Sequence, residues 1–290
     1  MPELPEVETL KRELGRVIVG LRIKKVKVLW PKTVAPLSVK VFEKEIVGKV
    51  IKSVSRQAKI LIIDLTDTTA LAIHLKLTGQ LIFIPRVVLG QVVTGGHPND
   101  QMTEKQPSKY TRIIFEFTDG SHLYFNDLRK FGWVRLVDDT QLKNLTQNLG
   151  FEPLSKLFTD QAMIDIFKHY PNRTIKQILL DQTLITGIGN IYADESCFLA
   201  KLLPTRKAQT LKPVQIKKLR EKIIAVLKLS IQKKGTSSRD YRRSDGSLGG
   251  FVPYLKVYGR AGQPCQVCDH PIQKIKHLGR GTHYCSKCQK

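Results

Sequence analysis

Four of the five cysteines form two pairs near the C-terminus, each pair separated by two residues. Cys265 pairs with Cys268 and Cys285 with Cys288, with sixteen residues between the pairs. If each pair lies on a tight turn, the four thiolates can surround one Zn²⁺ tetrahedrally, as in a zinc ribbon. Four protein ligands leave no open position, so the predicted zinc is structural. The acidic start of the chain is unlike a signal peptide, which favours zinc over two disulfides.

The start of the chain, MPELPEVETL, is the second place where chemistry is expected. Removal of the initiator Met would leave Pro2 with a free secondary amine. An α-amino group has a pKa near 7.8, so about a quarter of it is neutral at physiological pH and able to attack an aldehyde-like carbon. Glu3 could then exchange protons with the substrate. The alternative interpretation is a solvated, acidic N-cap of the first helix.

The charge of the chain predicts a polyanionic partner. The 48 Lys and Arg residues exceed the 25 Asp and Glu residues by 23, which argues against an enzyme of small neutral metabolites. The last 90 residues hold 21 basic and 4 acidic residues, so the expected nucleic-acid surface is mainly C-terminal. No apolar stretch approaches the roughly 18 residues of a membrane helix. We therefore expect a cytoplasmic protein without a membrane partner.

The residue pattern up to residue 137 predicts mostly strands, and several such strands predict a sandwich or barrel. Within them, Asp119 and Gly120 predict a tight primed hairpin turn with positive φ at both residues. Residues 85–108 have little periodicity and predict a long surface loop. The clearest strand segments are 59–65, 70–77, 111–117 and 121–125.

After Asp138 the pattern becomes helical. The third helical segment places Leu219, Ile223, Val226 and Leu227 on one face, which predicts a packed helical region. A stretch rich in Gly, Ser and Arg then leads to the cysteines. The helical segments are 159–170, 173–182 and 213–235. The histidines near the cysteines, predicted to be surface or phosphate-contacting residues, are His270, His277 and His283.

Five separated motifs, taken in order along the chain, resemble the formamidopyrimidine-DNA glycosylase family. The resemblance implies an α+β multi-domain fold with an N-terminal β-sandwich, a helix-two-turn-helix domain and a C-terminal zinc finger. The motifs are MPELPEVETL, RQAK ending at Lys59, NDLRKFG at 126–132, GIGNIYADE at 187–195 and GRGTHYCSKCQK at 279–290. The expected domains are a catalytic sandwich at 1–137, a helical DNA-binding domain at 138–235, a lesion-covering loop and linker at 236–255, and a zinc finger at 256–290.

The resemblance further implies a bifunctional glycosylase and abasic-site lyase of base-excision repair, acting on duplex DNA that carries oxidised purines or abasic sites. Pro2 matches the nucleophile that attacks C1′ and forms a Schiff base, and Glu3 matches the acid that protonates the deoxyribose ring. Lys59 matches the proton donor for β-elimination and a phosphate contact. Arg280 matches the residue assigned to δ-elimination and to the lesion phosphates. A nucleoid-associated bacterial monomer with one structural Zn²⁺ is expected.

Such an enzyme must turn the lesion out of the duplex and fill the gap. Leu77, Arg129 and Phe131 match the family's three gap-filling residues, with Arg129 facing the orphaned cytosine. Leu77 stands where the family usually has methionine, and both side chains are apolar and similar in volume. The positions that match or align with phosphate contacts are His74, Tyr110, Lys176 and Asn190, Tyr110 standing where the family has histidine.

Two other functions are compatible with parts of the chain. The sister enzyme endonuclease VIII prefers oxidised pyrimidines and shares the Pro-Glu start, the helical motif and the zinc finger. Leu4 and the NDLRKFG motif favour the formamidopyrimidine enzymes. A non-catalytic zinc-ribbon DNA-binding protein would explain the basic C-terminal third, but it leaves the N-terminal motif unexplained.

Overall fold

The computed structural model describes residues 2–86, 92–96, 105–236 and 250–290. Most of the predicted lesion-covering loop and much of the predicted 85–108 loop lie outside the described residues. The chain divides into two compact units. The first comprises Met1–Gln147 with Lys233–Val252, and the second comprises Asn148–Gln232 with Pro253–Lys290.

The first unit is a β-sandwich, as predicted. One antiparallel sheet has the strand order β1-β7-β8-β5-β6, and the other has the order β2-β3-β4-β9. The strands are β1 (Ile23–Val28), β2 (Ile51–Gln57), β3 (Ile60–Leu65), β4 (Thr69–His74), β5 (Gly79–Ile84), β6 (Val93–Gly96), β7 (Thr111–Phe117), β8 (His122–Asp127) and β9 (Trp133–Asp138).

Apolar side chains from both sheets and from helix α1 (Leu4–Ile18) form one core. Strand β7 alternates buried and partly exposed residues, because successive side chains of a strand point to opposite faces. In α1 the buried apolar residues recur every three or four positions, which places them on one face. The unit also contains α2 (Val39–Ile46) and α3 (Asp139–Thr146).

Two local predictions in this unit are wrong. Within the predicted 85–108 loop, β6 pairs with β5, and Gly95 lies so close to α1 that an added Cβ would be 2.5 Å from Leu10 Cδ1. At the β7–β8 turn only Gly120 has a positive φ, of 86°, and its N–H donates to the Phe117 carbonyl at 3.0 Å. One positive φ after such a turn is typical of a bulged hairpin rather than a primed turn.

The second unit contains helices and one hairpin. Helix α7 buries the four apolar residues predicted for one face. Helix α6 is buried almost all round, so it lies at the centre of the unit. None of the described helices is long and apolar enough to cross a membrane. The elements are α4 (Asp160–His169), α5 (Ile175–Leu180), α6 (Asn190–Ala200), α7 (Pro213–Gln232), β10 (Gln273–His277) and β11 (Arg280–Tyr284).

Candidate functional site

The four paired cysteines lie together in the second unit, with all their Sγ atoms within 4.8 Å of one another. The Sγ atoms of Cys268 and Cys285 are 3.5 Å apart, and those of Cys265 and Cys288 are 3.9 Å apart. A tetrahedron with Zn–S bonds of about 2.3 Å has edges of about 3.8 Å. The backbone N–H of His270 lowers the pKa of Cys268, whereas burial raises the pKa of Cys285 and of Cys288, so a bound cation is needed to hold all four groups as thiolates. The donor set fits one structural Zn²⁺ with no open position.

Pro2 and Glu3 lie at the start of α1, and both are buried, Glu3 being only 3% exposed. The helix begins here because Glu3 is its N-cap and forms a capping box with Glu6, and Pro5 suits the first turn, where its missing N–H is not needed. Glu6 Oε2 accepts the backbone N–H of Glu3 at 2.9 Å, and Glu6 Oε1 accepts the N–H of Thr236 at 2.8 Å and its hydroxyl at 2.9 Å. The Pro2–Glu3 segment is therefore fixed and buried. Glu3 is the acidic N-cap of α1, as the alternative interpretation expects, but the cap is buried and not solvated.

Lys59 lies in the two-residue turn between β2 and β3 and is 5% exposed. Arg56, at the end of β2, donates from Nη1 to the carbonyl of Ala58 at 2.8 Å. Ala58 has a φ of 52°, in the left-handed region. The guanidinium of Arg56 thus holds the strained residue that immediately precedes Lys59.

His74 ends β4 directly opposite Ile60, the residue after Lys59. Its Nδ1 accepts the backbone N–H of Lys76 at 2.9 Å, so the ring proton belongs on Nε2. Burial, together with the charges of Lys76 and Lys59, lowers the pKa of His74 to about 3. At physiological pH and without DNA, His74 is therefore neutral and presents an N–H donor at Nε2.

The three predicted gap-filling residues lie on two neighbouring loops of the first unit. Leu77 lies in the turn between β4 and β5, and Arg129 and Phe131 lie between β8 and β9. Phe131 is 52% exposed, and the Arg129 guanidinium carbon lies 4.9 Å from the centre of its ring. Phe131 is therefore a surface aromatic, not a core residue. The carbonyl of Tyr110, before β7, accepts the N–H of Asp127, at the end of β8, at 2.9 Å.

Arg280 is the first residue of β11 and is exposed. It follows the turn residues Leu278 and Gly279, whose φ values of 50° and 76° give the primed geometry that suits a two-residue hairpin. The carbonyl of the next residue, Gly281, accepts hydrogen bonds from Asn190 Nδ2 at 2.9 Å and Lys176 Nζ at 3.0 Å. The structure thus brings Arg280, Asn190 and Lys176 together in the second unit.

The contacts of Lys176 within the protein indicate a structural role, beside the phosphate contact that the resemblance implies. Its side chain is 1% exposed, and its ammonium donates to Asp194 Oδ1 at 2.6 Å, to the Gly281 carbonyl at 3.0 Å and to Thr282 Oγ1 at 2.9 Å. An ammonium has three N–H donors, and these contacts use all three. Lys176 therefore ties α5 to α6 and to the zinc hairpin.

Helix α6 contains two buried carboxylates, Asp194 and Glu195, for which the sequence patterns predict no role. Asp194 Oδ2 accepts the N–H of His283 at 2.9 Å, and His283 is only 6% exposed, so its predicted surface position is wrong. Glu195 accepts the N–H groups of residues 256–258 at 2.8–2.9 Å. Burial raises the pKa of Glu195, and these backbone hydrogen bonds oppose that effect. Adjacent acidic residues inside an otherwise apolar helix were the available signal, since buried charges need partners.

Comparison with known proteins agrees with this architecture over the whole chain. Three family models match: the formamidopyrimidine-DNA glycosylase N-terminal domain at residues 1–134, the H2TH domain of the same enzymes at 149–242, and a zinc finger found in FPG and IleRS at 262–290. A formamidopyrimidine-DNA glycosylase from Pelotomaculum thermopropionicum is 39% identical over 292 residues, covering 100% of this chain and 99% of its own.

Solved structures of the Lactococcus lactis enzyme are similar to this chain over its whole length. A glycine-to-proline mutant in complex with DNA containing Fapy-dG matches with a TM-score of 0.87 and 34% identity, covering 100% of both chains. A complex with DNA containing an abasic site matches with a TM-score of 0.86 and 33% identity, covering 99% of both chains. The chain therefore belongs to the formamidopyrimidine-DNA glycosylase family of base-excision repair enzymes.

Proposed function

We propose that the chain is a bifunctional DNA glycosylase and abasic-site lyase that removes oxidised purines, chiefly 8-oxoguanine and formamidopyrimidines, from duplex DNA. The observation that carries this proposal is the buried Pro2–Glu3 pair, held at the start of α1 by the Glu6 carboxylate. The names of the relatives and the Fapy-dG in one Lactococcus lactis complex support the substrate class, and the abasic site in another supports the lyase step.

In the proposed first step the nitrogen of Pro2 attacks C1′ of the damaged nucleotide. The bond between C1′ and the base breaks, the base leaves with the bonding electrons and gains a proton, and Pro2 forms a Schiff base with the sugar. Glu3 supplies the proton to the deoxyribose ring oxygen as the bond between C1′ and that oxygen breaks, which opens the sugar and turns the new Pro2–C1′ bond into the Schiff base. Met1 must first be removed, because an amide nitrogen is not a nucleophile.

In the proposed later steps the strand is cut on both sides of the sugar. Lys59 serves β-elimination and Arg280 serves δ-elimination. His74 contributes a neutral Nε2–H donor to the phosphates, Tyr110 contributes its hydroxyl and Asn190 contributes its second amide hydrogen. Zinc supplies no chemistry: it holds the hairpin that carries Arg280. We further propose that the enzyme acts as a monomer on the bacterial nucleoid in the cytoplasm.

The deciding experiment is borohydride trapping on a duplex with one 8-oxoguanine opposite cytosine, followed by peptide mass spectrometry. Borohydride reduces the Schiff base to a stable amine, so a cross-link on Pro2 establishes nucleophile, lyase step and substrate together. Pro2→Glu and Glu3→Gln are the variants: a large residue at position 2 keeps Met1 attached, so the nitrogen of residue 2 stays an amide, and both variants should retain DNA binding while losing base excision. Unchanged nicking by either variant would reject the mechanism.

Parallel duplexes separate the competing functions. Strong preference for thymine glycol over 8-oxoguanine would indicate an enzyme of the endonuclease VIII type. A cross-link with an abasic duplex but none with 8-oxoguanine would support the proposed lyase activity and show that 8-oxoguanine is not the substrate lesion. DNA binding without a cross-link on either duplex would reduce the chain to a DNA-binding protein.

A further inference from the structure

The two loops that carry Leu77, Arg129 and Phe131 are joined beneath by a buried carboxylate. Asp127, the last residue of β8, is fully buried. Its Oδ1 accepts the hydroxyl of Thr78, from the Leu77 turn, and the backbone N–H of Arg129 at 3.1 Å. These contacts connect the two loops through one side chain.

The same carboxylate also closes the far end of the second loop. Asp127 Oδ2 accepts the N–H of Gly132 at 2.7 Å, just beyond Phe131. Thr78 Oγ1 accepts the Arg129 N–H at 3.0 Å, so that N–H is shared between Thr78 and Asp127. Both ends of the 129–132 segment are therefore fastened to one buried side chain.

The surroundings of Asp127 leave it little freedom to move. Its own N–H donates to the Tyr110 carbonyl and its carbonyl accepts Arg112 Nε, each at 2.9 Å. At Gly132 an added Cβ would lie 2.7 Å from Phe125 Cζ and 3.1 Å from Asp127 Oδ2, so the loop returns tightly over the carboxylate. A charged hydrogen-bond acceptor with these partners is a rigid anchor.

We propose that Asp127 and Thr78 are positioning residues that hold Leu77, Arg129 and Phe131 as one preformed wedge, and so set the preference for cytosine opposite the lesion. The inference rests on the proposed function, in which these three side chains enter the duplex. Unstacking a base step costs a few kcal/mol, and a wedge that is ordered before contact spends none of its binding free energy on ordering itself.

The test compares Thr78→Val with Thr78→Ser. Valine has the shape of threonine but cannot donate to Asp127 or accept from Arg129, whereas serine keeps the hydroxyl. The measurement is the single-turnover rate of 8-oxoguanine excision opposite cytosine and opposite adenine. We expect Thr78→Val to reduce the cytosine-to-adenine rate ratio about tenfold, the equivalent of one lost hydrogen bond, and Thr78→Ser to keep it within about twofold of the parent.

Arg129→Ala is the reference variant, because it removes the side chain that faces the orphaned base. It shows the cytosine-to-adenine rate ratio that remains when this contact is lost completely. Borohydride trapping on an abasic duplex reports Pro2 chemistry separately, so failure of the proposed function appears as no trapping in any variant, the parent included. Circular dichroism checks that each variant is folded at the assay temperature, and Thr78→Ala replaces Thr78→Val if the latter is not. With trapping intact, an unchanged rate ratio in the folded variant that lacks the hydroxyl would overturn the inference.

Discussion

Arg56 Nε lies 3.0 Å from Glu8 Oε2, and both side chains are less than one tenth exposed. The pair joins α1, which begins just after Pro2, to the end of β2, where Arg56 also holds the Ala58 carbonyl. Burial raises the pKa of Glu8, but hydrogen bonds from Arg12 and Arg56 outweigh it and keep the pKa below its ordinary value. One buried ion pair therefore connects the segment of the proposed nucleophile to the Lys59 turn.

Glu8→Gln should destabilise the protein by about 3 kcal/mol, because it removes the negative charge that Arg56 Nε contacts at 3.0 Å in a buried site. Urea unfolding measures the loss. The matched control is Arg12→Gln, which breaks a bond to the same carboxylate at 2.8 Å from a side chain that is 57% exposed. That change should cost less than about 1 kcal/mol, since solvent screens exposed pairs. Equal losses in the two variants would contradict the importance of the buried pair.

Replacing Lys176 should act on stability and not on phosphate binding. Lys176→Met leaves Asp194 buried without its cation, which should cost about 3–5 kcal/mol. At a temperature where the variant is folded, the slope of log binding constant against log salt should equal the parent slope. Arg280→Gln should reduce that slope by about 0.9, the value of one phosphate contact. A reduced slope in Lys176→Met would restore the phosphate role for Lys176.

Stability should fall in mild acid because of His74. Its folded-state pKa of about 3 lies below the unfolded value of 6.5, so between these values the unfolded chain binds the proton first. The contribution of neutral His74 to the free energy of unfolding is complete above pH 6.5. It is lost as the pH falls towards 3, at about 1.4 kcal/mol per pH unit. His74→Asn keeps an acceptor for the Lys76 N–H without titrating, and the parent should lose about 2 kcal/mol more than this variant between pH 7.5 and pH 5.

Chelation should unfold the zinc finger and abolish DNA binding together. The four cysteines require the metal to hold their thiolates together, so zinc-binding free energy is folding free energy here. Metal analysis should find one zinc per chain in the parent and none in Cys288→Ser. Cys197→Ala is the matched control, because Cys197 is fully buried and does not belong to the four-cysteine cluster, and it should keep its zinc. If DNA binding survived zinc removal, binding would not depend on the folded zinc finger that carries Arg280, and the prediction would be wrong.

The sequence alone determined the features that depend on local pattern. Two Cys-x2-Cys pairs identified the zinc ligands, and the apolar spacing around Leu219 and Ile223 identified the buried face of α7. The hairpin strands 111–117 and 121–125 followed from the Asp119-Gly120 turn signal between two apolar segments. The family resemblance then identified candidate residues from Pro2 to Arg280, because their motifs are short and contiguous.

The tertiary structure decided what depends on neighbours distant in the chain. Strand β6 exists because Val93–Gly96 completes the edge of a sheet against β5, and its own sequence has no strand pattern. Lys176 looks like a surface cation until Asp194 and Thr282 are placed around it. Asp127 becomes an anchor only when Thr78 folds against it. Burial and partner choice are properties of long-range packing, and for this reason local sequence patterns did not reveal them.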